Sequence, residues 1–203
     1  DLIRHKYRIK NTVGYSLNAL VDYHDPLEIL IHLMVGSEGT LGFVSEVTYN
    51  TVPEHPFKAT GLIPFPDPQA AGRAIIEMAN GGVQVTTGVT AAEYIERRAL
   101  ATVEHLPPMA PLLPWLTADS PAVLIDVTAP DEATLLAEIA KTEDLLKRHG
   151  ATHVELSRDA QRSAALWDIR KGFFTSGGAA RPKGTSMLTE DVAAPIERLA
   201  EFV

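Results

Sequence analysis

Between Thr60 and Pro195 the chain changes period repeatedly. Short runs rich in β-branched residues give way to helix-spaced apolar stretches, and proline, glycine or aspartate marks each change. Few chain paths satisfy such a pattern, because strands repeat every second residue and helices every 3.6. The strands fall at residues 60–65, 83–89, 122–128, 153–156 and 186–192. The helices fall at 67–79, 90–104, 130–148 and 159–173, and Pro195 opens another. Two successive strand–helix–strand units suit a split βαβ, ferredoxin-like sheet, so the fold class is α+β. Residues 107–120 carry Pro107, Pro108, Pro111 and Pro114 and read as a surface loop or lid.

Residues 1–53 form a separate block, and Pro53-Glu54-His55-Pro56 reads as a linker or domain boundary. Asp25-Pro26 is a helix start, with aspartate as cap and proline at the first helical position. Leu27, Leu30, Ile31 and Met34 continue at helical spacing, and Gly36 stands where a terminal glycine ends such a helix. From Phe43 to Val52 the pattern turns to strand. The stretch GSEGTLG therefore lies between a helix and a strand.

Composition narrows the function classes. A formal charge of −8 supplies no basic surplus for phosphate neutralisation, so a general nucleic-acid binder is not expected. The absence of cysteine excludes disulfides, thiolate metal sites and cysteine nucleophiles. No apolar run has the length of a membrane span. The seven histidines are scattered without zinc-site spacing, so no metal ligand set is read from the sequence. The chain starts DLIRHKYRIKN without methionine and ends within a helical pattern, which reads as a piece of a longer protein.

Glycines allow positive φ and close approach of the main chain to a ligand, and consecutive exposed N–H groups can hold a polar edge. GSEGTLG matches neither the P-loop nor G-x-G-x-x-G, and no helix follows it. Glu38 would repel phosphate, so a hydroxyl or ring N–H is its natural partner. The competing reading is a helix cap and turn that need glycine only for backbone reasons.

Three segments carry a resemblance. VGSEGTLGFVSEVT resembles the loop that closes the flavin domain in the FAD-linked oxidase family of the vanillyl-alcohol-oxidase fold type. Relatives there include D-lactate dehydrogenases, glycolate oxidase D subunits and D-2-hydroxyglutarate dehydrogenases. The stretch from Lys10 to Leu17 resembles the family's K-x-x-x-G-Y-x-L segment. Leu166-Trp167-Asp168-Ile169-Arg170 resembles the L-W-x-x-R helix of its substrate domain. The resemblance implies that residues 1–53 are the C-terminal part of an FAD-binding α+β domain. It implies that residues 57–203 are a substrate (cap) domain, truncated at its C-terminus.

The function so implied is FAD-dependent oxidation of a D-2-hydroxy acid, such as D-lactate or glycolate, to the 2-oxo acid. FAD would be held noncovalently in the full-length protein, against Gly36, Ser37, Glu38, Gly39, Thr40, Gly42 and Val44. Arg170 would contact substrate, because a guanidinium binds a carboxylate in a two-bond fork. Arg181 and Lys183, on what reads as a small flexible loop from Ser176 onward, would add to an anion pocket. No catalytic base is assigned within the chain. Trp115 and Trp167 read as packing residues, and Glu190-Asp191 as a solvated strand end. The implied location is cytoplasmic or peripheral to an inner membrane. The implied partners are the hydroxy acid, an electron-acceptor or iron–sulfur subunit, and a second copy of the chain. Two alternatives stay open: a flavin-dependent transferase resembling alkyl-dihydroxyacetone-phosphate synthase, and a non-catalytic cap domain that binds a partner.

Overall fold

The computed structural model describes residues 1–11, 14–80, 88–186 and 194–202. The chain divides into two compact units, one built on Asp1–Pro53 and the other on Glu54–Met187 with Ile196–Val203.

The first unit holds three short helices, α1 (Leu2–Lys6), α2 (Ala19–Asp22) and α3 (Pro26–Met34). The Asp25 carboxylate accepts from the Leu27 and Glu28 amides at 2.9 and 3.1 Å, satisfying two of the first-turn donors that a helix leaves open. Pro26 occupies the first position, where its missing N–H costs nothing. The expected strand at 43–52 does not form. Phe43, Tyr49 and Val52 are 92%, 78% and 87% exposed. A strand is held by ladder bonds to a neighbour, and among the described residues none lies beside this segment.

The second unit is built on a three-stranded antiparallel sheet in the order β1-β3-β2, from β1 (Phe57–Pro64), β2 (Val89–Ile95) and β3 (Ala122–Ala129). The register runs from Phe57 opposite Ala129 to Pro64 opposite Ala122 on one side of β3. On the other side it runs from Val89 opposite Val127 to Ile95 opposite Ala122, with an irregularity between Val89 and Ala91. A fourth, extended segment runs along the free edge of β1. Thr152 donates to the Pro64 carbonyl, and Thr60 and Ser157 exchange two backbone bonds. The sequence places a strand at 153–156, and the chain does lie there, but only its ends are bonded. One helix joins β1 to β2 and another joins β3 to the edge segment, which gives the split βαβ arrangement within an α+β fold.

Side chains alternate across the sheet, and each face has its own core. Ala59, Ile63, Val123, Ile125 and Val127 pack under α4 (Pro68–Asn80) and α6 (Glu132–Arg148). The alanines of α4 at 70, 71 and 74 are fully buried and let that helix approach closely. Leu62, Leu124 and Ile95 face the opposite way. They pack with Leu100 of α5 (Arg97–Ala101), with Val103, Met109 and Leu112, and with Leu166 and Ile169 of α7 (Ala160–Ala180). A short α8 (Leu199–Phe202) ends the unit.

Three further expectations are corrected. The helix expected at 90–104 is β2 followed by the short α5. The alanines and glutamate of VTAAEYI favour a helix locally, but pairing with β3 satisfies every second residue and overrides that preference. The expected lid at 107–120 is two 3-10 turns with Met109, Leu112 and Ser120 buried, so it is a wall of the second core. The expected flexible loop from Ser176 is the last turn of α7. Two glycines weaken a helix by about 1 kcal/mol each, less than packing of a 21-residue helix supplies. The expected strands at 83–89 and 186–192 fall largely outside the described residues. Among the described residues no helix is long and apolar enough to cross a membrane.

Candidate functional site

In the first unit, the GSEGTLG segment follows α3 directly. Gly36, Glu38 and Gly39 all have positive φ, at 76°, 52° and 75°. Glu38 is the one non-glycine residue so placed among those described, and such a conformation is costly for a residue with a Cβ. A Cβ at Gly36 or Gly39 would meet nothing within 4 Å. The glycines are therefore required by backbone angle, and the space beside them is open to a ligand.

Side chains from the Gly14-Tyr15-Ser16 segment pin this loop. The Tyr15 hydroxyl meets Thr40 Oγ1 at 2.9 Å, and Ser16 Oγ donates to the Val35 carbonyl at 2.8 Å. Thr40 in turn donates to the Ser37 carbonyl through both its amide and its hydroxyl. The Tyr7 hydroxyl donates to the Tyr15 carbonyl at 2.6 Å. Two of the three motif segments are thus one hydrogen-bonded body. Ser37 is buried, while Glu38, Gly39, Thr40, Gly42 and Val44 are exposed. The carboxylate of Glu38 is free to turn toward a hydroxyl or ring N–H.

In the second unit, Arg170, Phe173, Gly177 and Arg181 recur at three- and four-residue steps along one side of α7 and past its end. They face β2 and α5 across two adjoining clefts of about 460 and 390 Å³, which share Glu96, Ala99 and Phe173. Arg170 Nε donates to Glu93 Oε2 at 2.7 Å, with both side chains partly exposed. An exposed ion pair contributes about 0–1 kcal/mol, so an incoming carboxylate can take Glu93's place at little cost. Burial pushes the Tyr94 phenol upward, and the Glu96 charge adds to that. It stays a neutral hydrogen-bonding group beside the cleft.

Arg181 lines the second of these clefts, but its guanidinium is engaged with backbone. Nε donates to the Thr185 carbonyl and Nη1 to the Gly178 carbonyl, at 2.9 and 2.8 Å. That caps the last turn of α7, a role that cations suit because helix C-termini carry partial negative charge. Lys183 sits in the exposed turn that Thr185 closes onto Pro182 and lines neither cleft. Arg170 and Arg181 therefore line adjoining but different clefts, and Lys183 lies on neither.

Two features went unread in the sequence. Glu93, the partner of Arg170, lies on β2, where residue type favours a helix. Asp126 is a buried acid in the otherwise apolar strand AVLIDVTA. Both its oxygens accept from Trp167 Nε1, at 3.0 and 3.1 Å. Thr60 donates to it at 2.6 Å, and Lys58 pairs with it at 2.5 Å. Trp167 is thus a hydrogen-bonding anchor as well as a packing residue. The lone acid in that apolar run was the available signal. Among the described residues no group of acidic and histidine side chains could hold a metal.

The family model for the C-terminal domain of FAD linked oxidases matches residues 54–203. A mitochondrial D-lactate dehydrogenase (cytochrome) of Kluyveromyces lactis is 24% identical over 198 residues, covering 96% of this chain and 31% of its own. A glycolate oxidase subunit GlcD of Bacillus subtilis is 28% identical over 204 residues, covering 100% of this chain and 38% of its own. A D-2-hydroxyglutarate dehydrogenase of Xanthomonas citri is 26% identical over 164 residues, covering 81% and 30%. The chain spans about a third of the length of the curated relatives it matches.

Proposed function

Because the chain belongs to the FAD linked oxidases through their C-terminal domain, we propose that the full-length protein is an FAD-dependent dehydrogenase of a D-2-hydroxy acid. The observation that carries this reading is Arg170. It stands on the L-W-x-x-R helix at the mouth of a cleft, held by one exchangeable acid, Glu93. Residues 1–53 would be the end of the FAD-binding domain and residues 57–203 the substrate domain.

The residues present fit the flavin. Gly36 and Gly39 hold positive φ with open space beside them, and Tyr15 and Ser16 fix the loop from behind. Gly36, Ser37, Glu38, Gly39, Thr40, Gly42 and Val44 would hold it, with Glu38 toward a hydroxyl. Bound FAD supplies the hydride acceptor.

This chain's own residues supply binding and orientation. The substrate carboxylate displaces Glu93 and takes the fork of Arg170, a bidentate match that a lysine cannot reproduce. Holding that carboxylate fixes the position of C1 and so limits where C2 can lie. Arg181, already bonded to the helix end, adds positive potential and a firm last turn. Phe173 and Ala99 give the cleft an apolar wall for the carbon skeleton of the acid.

The test uses the full-length protein reconstituted with FAD. D-lactate, glycolate and D-2-hydroxyglutarate are added without oxygen, and the flavin absorbance is followed. Bleaching by at least one acid supports the reading. Failure to take up flavin, or flavin that none of the acids bleaches, sinks it. Flavin that instead turns over an acyl-dihydroxyacetone phosphate without net oxidation would favour the transferase.

A further inference from the structure

We propose that the cleft beside Trp167 is a second binding site, for a small organic anion with a flat apolar body. This cleft, of about 650 Å³, lies between the start of β1, Leu135 of α6, and the side of α7 that carries Ser163, Trp167 and Lys171. It shares no lining residue with the clefts at Arg170. The inference is independent of the dehydrogenase reading.

Charge and surface chemistry identify the class of ligand. The chain carries a net charge of −8, yet Lys58, Arg158 and Lys171 line this one cleft and no acid does. Each cation has an acidic neighbour, and these neighbours differ. Lys58 is committed to the buried Asp126, which also takes bonds from Thr60 and Trp167. Arg158 pairs with Glu132 at 2.5 Å, but both are about half exposed. Lys171 reaches Asp168 only at 3.5 Å, with both side chains 73% exposed. Surface pairs of that kind contribute about 0–1 kcal/mol or less, so Arg158 and Lys171 can turn to an anion at little cost.

The remaining walls favour a flat hydrocarbon body. Trp167, Phe57 and Leu135 present rings and an aliphatic side chain. The indole is fixed because its Nε1–H is bonded to both oxygens of Asp126. A ring held in that way offers a stacking face without first losing rotamer freedom. Lys58 Nζ lies 5.7 Å from its centroid, a cation–π contact whose charge is balanced by Asp126. Thr60 spends its hydroxyl hydrogen on Asp126, so Ser163 Oγ donates to Thr60 and offers the cleft only an acceptor. Bare inorganic phosphate would use the charges and leave the rings without a partner. A ring bearing a carboxylate would use both.

The experiment is calorimetric titration of this 203-residue chain with benzoate, inorganic phosphate and benzyl alcohol. Benzoate is expected to bind saturably and more tightly than either of the others. Arg158→Gln with Lys171→Gln should weaken benzoate by about tenfold or more, the scale of one lost hydrogen bond to a charged group. These two positions are chosen because they are exposed, whereas Lys58→Gln would strip the partner from buried Asp126. Circular dichroism and the thermal midpoint check that the double variant folds. The proposal is overturned by unsaturable benzoate binding or by phosphate binding as tightly as benzoate. It is equally overturned by a folded double variant with undiminished affinity.

Discussion

The hydroxyl of Tyr15 lies 2.9 Å from Oγ1 of Thr40, and this bond joins two stretches that stand 25 residues apart in the chain. Thr40 closes onto Ser37 in the same turn, so Tyr15 supports the turn in which Gly36, Glu38 and Gly39 take positive φ. Its geometry explains why a G-Y-x-L segment and a glycine loop occur together. One supplies a strained backbone, and the other holds it.

Tyr15→Phe keeps the ring and removes that bond. A partly exposed hydrogen bond of this kind contributes about 0.5–1.5 kcal/mol. In the reconstituted full-length protein the FAD affinity should fall by roughly threefold to tenfold, while the thermal midpoint barely moves. Flavin titration followed by fluorescence measures it. An unchanged affinity would separate the loop from flavin binding.

Arg170 and Glu93 make opposite predictions for their variants. Arg170→Lys loses the two-bond fork, so KM for the hydroxy acid should rise by about tenfold to a hundredfold. Glu93→Gln removes the resting competitor for the guanidinium, so KM should stay level or fall. Steady-state kinetics of both variants reads the contrast. If Glu93→Gln raises KM as Arg170→Lys does, the pair is structural and Arg170 is not a substrate clamp.

Asp126 is 6% exposed and holds Trp167, Thr60 and Lys58 at once. Asp126→Ala would leave Thr60 and Trp167 without their acceptor, while the 41% exposed Lys58 can turn to water, and a cost of about 2–4 kcal/mol is expected. Trp167→Phe removes one donor and should cost about 1–3 kcal/mol. The two losses should fall short of additive in urea unfolding of the pair and the double variant, since both break the same bond. Full additivity would mean that the indole and the carboxylate act separately.

Glu77 sets an acid limb. His149 Nε2 meets Oε2 at 2.5 Å and Arg148 donates to Oε1 at 2.9 Å. The bond to His149 first, and then that to Arg148, hold the Glu77 carboxyl below the usual glutamate range. A carboxyl depressed in the folded state adds stability above its unfolded pKa and loses it as pH falls through the folded value. Stability should therefore decline from about pH 5 downward, and Glu77→Gln should flatten part of that decline. Urea midpoints across acid pH test this, and equal acid loss in both proteins would count against it.

How much of this was legible depended on whether local preference and tertiary pairing agreed. Asp25-Pro26 announces α3, and the cap is there in two bonds. The runs at 122–128 and 130–148 are β3 and α6, because β-branched content and helical spacing leave one choice each. VTAAEYI reads as helix by residue type and is a strand because β3 needs a second neighbour. With it went Glu93, so the motif arginine could be found but not its partner. The segment from Phe43 to Val52 failed the other way: its pattern is a good strand, and no described strand pairs with it. Ser176 to Ala180 looked loose by composition, but a helix already nucleated and packed through Leu166 and Ile169 runs through two glycines.

Gly61 shows how a strand interior is fixed by one missing side chain. It lies mid-strand in β1, opposite Ile125. A Cβ there would collide with the Glu155 carbonyl oxygen and Leu156 Cδ2 of the edge segment. The first of these is backbone and cannot turn aside, so Gly61→Ala must push residues 152–157 off β1. The bonds at risk are Thr60 with Ser157 and Thr152 with Pro64. Loss of both, with the packing of Val154 and Leu156, should cost about 2–4 kcal/mol. Amide exchange should rise at Thr152 and Ser157 while the β1–β3 ladder stays protected. A Gly61→Ala protein with wild-type exchange at those two amides would show that the edge segment is not held by close approach to β1.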